Sequence, residues 1–244
     1  MTAPKKKPSS PNTNVWERKW KPDSRHPART IPRELPNEFS RVAIADMKRR
    51  QVRKVLELGA GAGRDTAAFV ENGFDVTAVE ISKSGATRLK NDFPAALIIN
   101  GDIREVKLSP QSTVDAIYAF SVLHYFTDAE INKIYKNLTP HLKEGGRLYI
   151  AMRSVNDEMY GKGKKVGKNT YEFNDAVRRF FTPKTMVAQV SKNGFEVVSM
   201  SDRTVQYHAH DGDHKSTFIE VIAQKKVQPK KSSLRKFLTN LFKI

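Results

Sequence analysis

The chain has 244 residues, 39% of them hydrophobic, and no cysteine. That length suits one α/β domain with residues to spare for ends and insertions, and the absence of cysteine excludes disulfides, thiolate metal sites and cysteine nucleophiles. The formal net charge of +17 gathers at the ends, with eight Lys/Arg against two acids in residues 1–30 and seven against none in residues 225–244.

Residues 1–14 have a Pro, Lys, Ser and Asn composition that predicts disorder. The start, MTAPKKKPSSPNT, lacks the apolar segment of a secretory signal, and no apolar run approaches the roughly 20 residues of a membrane span. A cytoplasmic setting is therefore expected. NVWERKW reads as a short helix capped by Asn14, and the prolines from Pro22 to Pro36 read as an extended arm. Residues 1–37 thus form a basic, Pro-rich arm ahead of a domain over 38–224. That domain opens with a helix over 38–50, with Phe39, Val42, Ala43 and Met47 on one side. Strands over 55–58, 75–79, 96–99, 114–120 and 147–152 then alternate with helices over 65–72, 82–92 and 128–141. The alternation predicts a mostly parallel sheet with helices on both faces. Residues 153–178 hold three glycines and four lysines between Gly161 and Lys168 and read as a mobile loop beside the site. Thr182-Pro183 opens a further helix ending at Gly194. Strands over 195–200 and 216–223 follow, joined by a polar link that contains Asp211-Gly212, so the last strand is expected to run antiparallel. In residues 225–244, a basic linker leads to Leu234, Phe237, Leu238, Leu241 and Phe242 at helical spacing, with Arg235, Lys236 and Lys243 outside the stripe. Such a helix docks on its own domain or a partner, or lies on an anionic membrane.

The chemistry centres on VLELGAGAGRDTAAFVENGFDVTAVE, Val55 to Glu80. Gly59, Gly61 and Gly63 fall where a strand turns into a helix, so the backbone can take unusual φ values and approach a ligand closely. Glu80 ends the next strand, placed to accept from the two hydroxyls of a ribose. A dinucleotide fingerprint spaces its glycines G-x-G-x-x-G and binds pyrophosphate at the helix start. Here the third glycine comes one place early and Asp65 stands at that start. Asp65 repels a diphosphate and tolerates an ammonium or sulfonium, and Glu57 adds negative character.

The sequence resembles the class I S-adenosylmethionine-dependent methyltransferases. ELGAGAG matches their first motif and VTAVEIS, with Glu80, the ribose motif. NGDI places Asp102 at the adenine, AFSVLHYF matches the segment after the fourth strand, and LKEGGRLYI matches the turn into the fifth. GRDT followed by NGFDVTAVE is similar to the small-molecule branch that includes tellurite-resistance and thiopurine methyltransferases. The resemblance implies a Rossmann-like, seven-stranded sheet whose last strand is antiparallel, and S-adenosyl-L-methionine as cofactor. It implies that the backbone of Gly59, Ala60 and Gly61 holds the methionine part and that Ile81 and Ile103 sandwich adenine while Asp102 accepts from its amino group. Phe120 and Ser121 line the route to the methyl.

Methyl transfer from a sulfonium needs alignment more than a catalytic side chain. His124 and Tyr125, beyond the fourth strand, are the candidates for taking a proton or orienting the acceptor, or they pack against the cofactor. Arg153 is placed to meet an acidic substrate. Tyr160 and Tyr171 bracket the glycine-lysine loop and are candidates to close over the site, and Trp16 and Trp20 form part of a lid or simply pack. YHAHDGDH puts His208 and His210 on one strand face but matches no metal-ligand spacing, so His208 is read as lining the substrate and no metal is expected. Motifs of nucleic-acid amino methyltransferases and the cysteines of 5-methylcytosine and arsenic enzymes are missing, which leaves a small-molecule acceptor favoured. An RNA or protein methyltransferase using the basic ends, and a non-catalytic nucleic-acid or membrane-binding module on the same fold, stay open. Asp65 argues against an NAD oxidoreductase.

Overall fold

The computed structural model describes residues 13–21, 37–209 and 212–227; the expected disordered start, Pro-rich arm and C-terminal amphipathic helix, and His210, lie outside them. Helix α1 (Thr13–Trp20) already includes Thr13, so Asn14 sits in its first turn and is not its cap. Helix α2 (Glu38–Arg49) is capped by Asn37, whose side chain accepts from the Ser40 N–H at 2.7 Å. Its buried arc holds Phe39, Ser40, Ala43, Ile44 and Met47. Val42, expected on that face, falls just outside the arc and is exposed.

The expected alternation follows: β1 (Lys54–Leu58), α3 (Arg64–Glu71), β2 (Asp75–Glu80), α4 (Lys83–Asp92), β3 (Leu97–Asn100), β4 (Val114–Phe120), α5 (Asp128–Leu138) and β5 (Leu142–Arg153). Helix α5 stops before the expected His141, because Pro140 cannot continue its ladder and Thr139–His141 tightens into a 3-10 turn. Gly145-Gly146 lies inside β5 and not ahead of it, where the pairing with β4 shifts register. After α6 (Pro183–Ser191) come β9 (Phe195–Ala209) and β10 (Gly212–Lys225), which form one long antiparallel hairpin. The described residues of the link expected over 201–215, namely 201–209 and 212–215, are therefore strand. Its polar side chains hid it, since residues 201–206 are exposed or half-buried and carry no apolar alternation.

The main sheet has the order β3-β2-β1-β4-β5-β10-β9, parallel from β3 through β5, with β10 antiparallel to β5. Successive residues of β1 serve opposite faces. Leu56 and Leu58 join the core under α5 and α6 with Ile131, Ile134, Met186 and Phe195, while Val55 joins the core under α2 to α4 with Phe39, Met47, Phe69 and Leu89.

The largest departure is at residues 153–178, expected as a mobile loop. They build a second, three-stranded antiparallel sheet, β6 (Lys164–Gly167), β7 (Thr170–Phe173) and β8 (Ala176–Arg179). Asn174 and Asp175 both have positive φ between β7 and β8, the two-residue hairpin turn that Asn and Asp tolerate. A bridge between Ser154 and Phe181 fastens this sheet to the end of β5.

Helix α5 carries a capping box: the Thr127 hydroxyl accepts from the Glu130 N–H, and the Glu130 carboxylate accepts from the Thr127 N–H at 2.9 Å. Thr127→Ala is expected to cost about 1 kcal/mol in urea unfolding, and an unchanged midpoint would show that packing of Ile131 and Ile134 alone holds the helix start.

Candidate active site

β1 and β4 are neighbours although β2 and β3 lie between them in the chain, so the winding reverses at their carboxyl ends. Such sheets bind ligands in the crevice at that point. A cavity of about 270 Å³ lies there, and Gly59, Asp65, Glu80, Ile81, Asp102, Ile103, Phe120, Ser121 and Tyr125, all expected, line it. Trp16 and Trp20 of α1 complete its wall.

The turn after β1 is bound to the end of β2. The Gly61 N–H donates to Glu80 Oε2 and the Ser82 N–H to Oε1, both at 2.8 Å. Each carboxylate oxygen keeps a second lone-pair direction for a ligand hydroxyl. Gly59 has φ +71°, and a Cβ there would meet Val122 Cγ2 at 2.6 Å; Gly61 has φ +56°, and a Cβ there would meet the Trp20 ring at 2.9 Å. The glycines therefore admit protein side chains as well as a ligand. Ala60 is buried behind the turn and Gly63 caps α3.

Three carboxylates stand close together with little water. Glu57 accepts from the Thr66 hydroxyl at 2.6 Å, and burial, then the neighbouring Asp65, pushes its carboxyl up to about 8. Burial also raises Asp65 and Glu80 above the ordinary range, in spite of their hydrogen bonds. Asp65 is pinned at the cavity by Asn37 Nδ2, at 2.5 and 2.6 Å from its two oxygens, and by the Tyr118 hydroxyl at 3.1 Å. Asn37 is a site residue that the sequence reading missed; its sign was the capping position just before Glu38. Asp102 lines the cavity, but its carboxylate grips Arg104, which also reaches Glu130 at 2.6 Å.

The candidates for chemistry divide. Tyr125 faces the cavity, and Trp16 stands edge-on to its ring at 4.7 Å. Burial pushes the Tyr125 phenol up, yet Arg178, Lys19 and Arg153 together draw it below its ordinary value. His124 lies behind Tyr125, ring to ring at 4.2 Å, and outside the cavity wall. It is fully buried with neither ring nitrogen hydrogen-bonded, and burial with the same three cations keeps it neutral. Arg153 is buried at the end of β5 and pairs with Asp157 at 2.6 Å. Tyr160 and Tyr171 pack on each other and on Phe180 beside the second sheet, and neither lines the cavity. His208 lies in β9 with its backbone paired to Asp213. Among the described residues no group of three His, Asp or Glu is placed to hold a metal, and no helix is long and apolar enough to cross a membrane.

Comparison with known proteins gives three kinds of match. A family model described as a methyltransferase domain matches residues 25–200. An uncharacterized methyltransferase of Mycobacterium tuberculosis is 32% identical over 127 residues, 52% of this chain and 50% of that protein. A phosphoethanolamine N-methyltransferase of Triticum aestivum is 28% identical over 102 residues, 40% of this chain and 20% of that protein. The chain thus spans half or less of the length of these relatives. Among solved structures, the 1,6-didemethyltoxoflavin-N1-methyltransferase of Burkholderia thailandensis superposes with a TM-score of 0.62 at 19% identity, covering 93% of this chain and 94% of that one.

Proposed function

The chain belongs to the methyltransferase-domain family of class I, S-adenosylmethionine-dependent enzymes, and from that premise we propose that it methylates a small-molecule acceptor at the cavity beside Tyr125. The observation that carries the reading is the pairing of Glu80, tied to the glycine turn, with Asp65, held at the start of α3, in one cavity.

The donor set fits the cofactor. Glu80 offers acceptors for a ribose diol. Ile81 and Ile103 offer an apolar slot for a base, and buried Asp65 with Glu57 behind it favours a cation over a phosphate. When bound, S-adenosylmethionine supplies an electrophilic methyl group on a sulfonium. The protein's own share is positioning and exclusion of water. Trp16, Trp20 and Phe120 shield the cavity, so a nucleophile enters stripped of its hydration. Tyr125, with Arg178 and Lys19 favouring its phenolate, accepts a proton or a hydrogen bond at its phenol oxygen and so turns the acceptor's lone pair toward the methyl.

A small-molecule acceptor is supported by the modest size of the cavity, about 270 Å³, and by the name of the Burkholderia neighbour. The test is release of S-adenosylhomocysteine with three acceptor classes: small amines and phenols, RNA, and protein. Turnover with small acceptors alone is expected. Turnover confined to RNA or protein would overturn the acceptor class, and no calorimetric binding of S-adenosylmethionine would overturn the cofactor site.

A further inference from the structure

Three cations converge behind Tyr125 from three separate elements. Arg178 of β8 has its Cζ 5.5 Å from the Tyr125 ring centroid. Lys19 of α1 has its Nζ 4.4 Å from the centre of Trp16, which packs on that same ring. Arg153, at the end of β5, has its Cζ 5.4 Å from the Phe218 ring, which packs at 4.9 Å on Phe120 of the cavity wall. Each of the three acts electrostatically on both His124 and Tyr125.

Their compensation is incomplete. Arg153 has Asp157, which also accepts from the Thr217 N–H at 2.8 Å. Arg178, buried, is held by the neutral carbonyls of Phe173 and Ala176 at 2.8 and 3.3 Å and by the Tyr125 side chain, and neither it nor Lys19 pairs with a carboxylate among the described residues. Nε of Arg153, Nε of Arg178 and both ring nitrogens of His124 are buried without a hydrogen-bond partner among the described residues. Buried charge without a counter-charge, and buried donors without acceptors, are costly, and a fold keeps them where they serve a ligand. Buried Arg178 and half-buried Lys19, neither with a carboxylate partner among the described residues, together with several free N–H groups select an oxyanion, which accepts many hydrogen bonds and carries the missing charge.

We propose that Lys19, Arg153 and Arg178 form a subsite for an oxyanion, a carboxylate or phosphate, carried by the methyl acceptor. This rests on the reading of the adjoining cavity as a methyl-transfer site. The oxyanion anchors the acceptor behind Tyr125 and leaves its nucleophilic atom toward the cavity. The second sheet then has a task, since β8 delivers Arg178 and α1 delivers both Lys19 and the tryptophans of the cavity wall.

The test uses the full chain, with and without S-adenosylhomocysteine. Sodium phosphate and sodium acetate are titrated against sodium chloride at matched ionic strength, with tryptophan fluorescence as the signal. Both tryptophans of the chain lie on α1, beside Lys19. A saturable response to phosphate, acetate or both is expected, and which of them responds tells a phosphate from a carboxylate. Arg178→Gln and Lys19→Gln are each expected to weaken that response about tenfold or more, while Lys192→Gln, on the exposed end of α6, leaves it unchanged. A chloride response equal to the others, or unaltered affinity in both variants, overturns the subsite. Should Arg178→Gln fail to fold, Lys19→Gln, whose side chain makes no ion pair among the described residues, carries the test. Intact cofactor binding without an anion response sinks the subsite alone. An anion response without cofactor binding sinks the methyl-transfer reading and leaves the subsite.

Discussion

Glu80→Ala is expected to weaken S-adenosylmethionine binding by a factor of about 10²–10⁴ in calorimetric titration. On the proposed placement of the cofactor the variant loses two charge-assisted hydrogen bonds to ribose hydroxyls, each worth roughly 1.5–3 kcal/mol, and 1.4 kcal/mol is a factor of ten. It also frees the Gly61 and Ser82 N–H groups, which now close on the carboxylate at 2.8 Å, so the turn after β1 loses its tie to β2. Stability is expected to fall only modestly, because two effects oppose each other. The freed N–H groups cost about 1–3 kcal/mol each where they stay dry, while burial, which raises Glu80 above its ordinary range in spite of three backbone hydrogen bonds, means that its removal also relieves a carboxylate held at a cost. Glu80→Gln, which keeps one acceptor oxygen, should fall between wild type and alanine. An alanine variant that binds within threefold of wild type would place the ribose elsewhere.

That residue was legible in the sequence because its chemistry and its position coincide: an acid at the end of the strand after a glycine turn. The parallel strands were legible for a similar reason, each being a short apolar run closed by a turn. The second sheet was not. Its strands are only four residues long, β6 is mostly lysine and glycine, and Tyr160, Tyr171 and Phe180 pack together from separate segments, which no local period encodes. Only the Asn174-Asp175 pair announced a hairpin. The same miss hid Arg178 and so most of the cation cluster, of which the sequence singled out Arg153 alone. Tyr125 and His124 were read as a pair from adjacency, yet the 3-10 turn Leu123–Tyr125 sends Tyr125 to the cavity wall and His124 into the core. Neighbours in sequence were separated by a turn type that depends on what packs against it.

Glu57 predicts the second large effect, and it links stability to function. Its carboxyl, ordinarily at 4.5, is pushed up to about 8 by burial and by Asp65. A raised folded value means that the folded chain holds a proton the unfolded chain has lost. The associated stability is fully present below about pH 4.5 and is lost as pH rises through about 8. Between about pH 6 and pH 9 the loss is roughly 3 kcal/mol, or on the order of 6–12 °C in melting temperature for a chain of this size. Glu57→Gln keeps an acceptor for the Thr66 hydroxyl, now bonded at 2.6 Å, and has no proton to lose. Its melting profile should be flatter over that range and its melting temperature higher at the alkaline end; profiles of equal slope would remove Glu57 from the cluster. A glutamine there would stabilise the fold, so the glutamate needs a reason, and the cavity supplies one. Glu57, Asp65 and Glu80 act on one another electrostatically or stand at one wall, and each proton lost adds negative potential where a sulfonium is to sit. Wild type should therefore prefer S-adenosylmethionine over uncharged-sulfur S-adenosylhomocysteine more strongly at about pH 8.5 than at about pH 6.5, with Glu57→Gln showing little of that change. Equal preference at both pH values in wild type would mean that the carboxylates hold the turn and do not select the charge of the ligand.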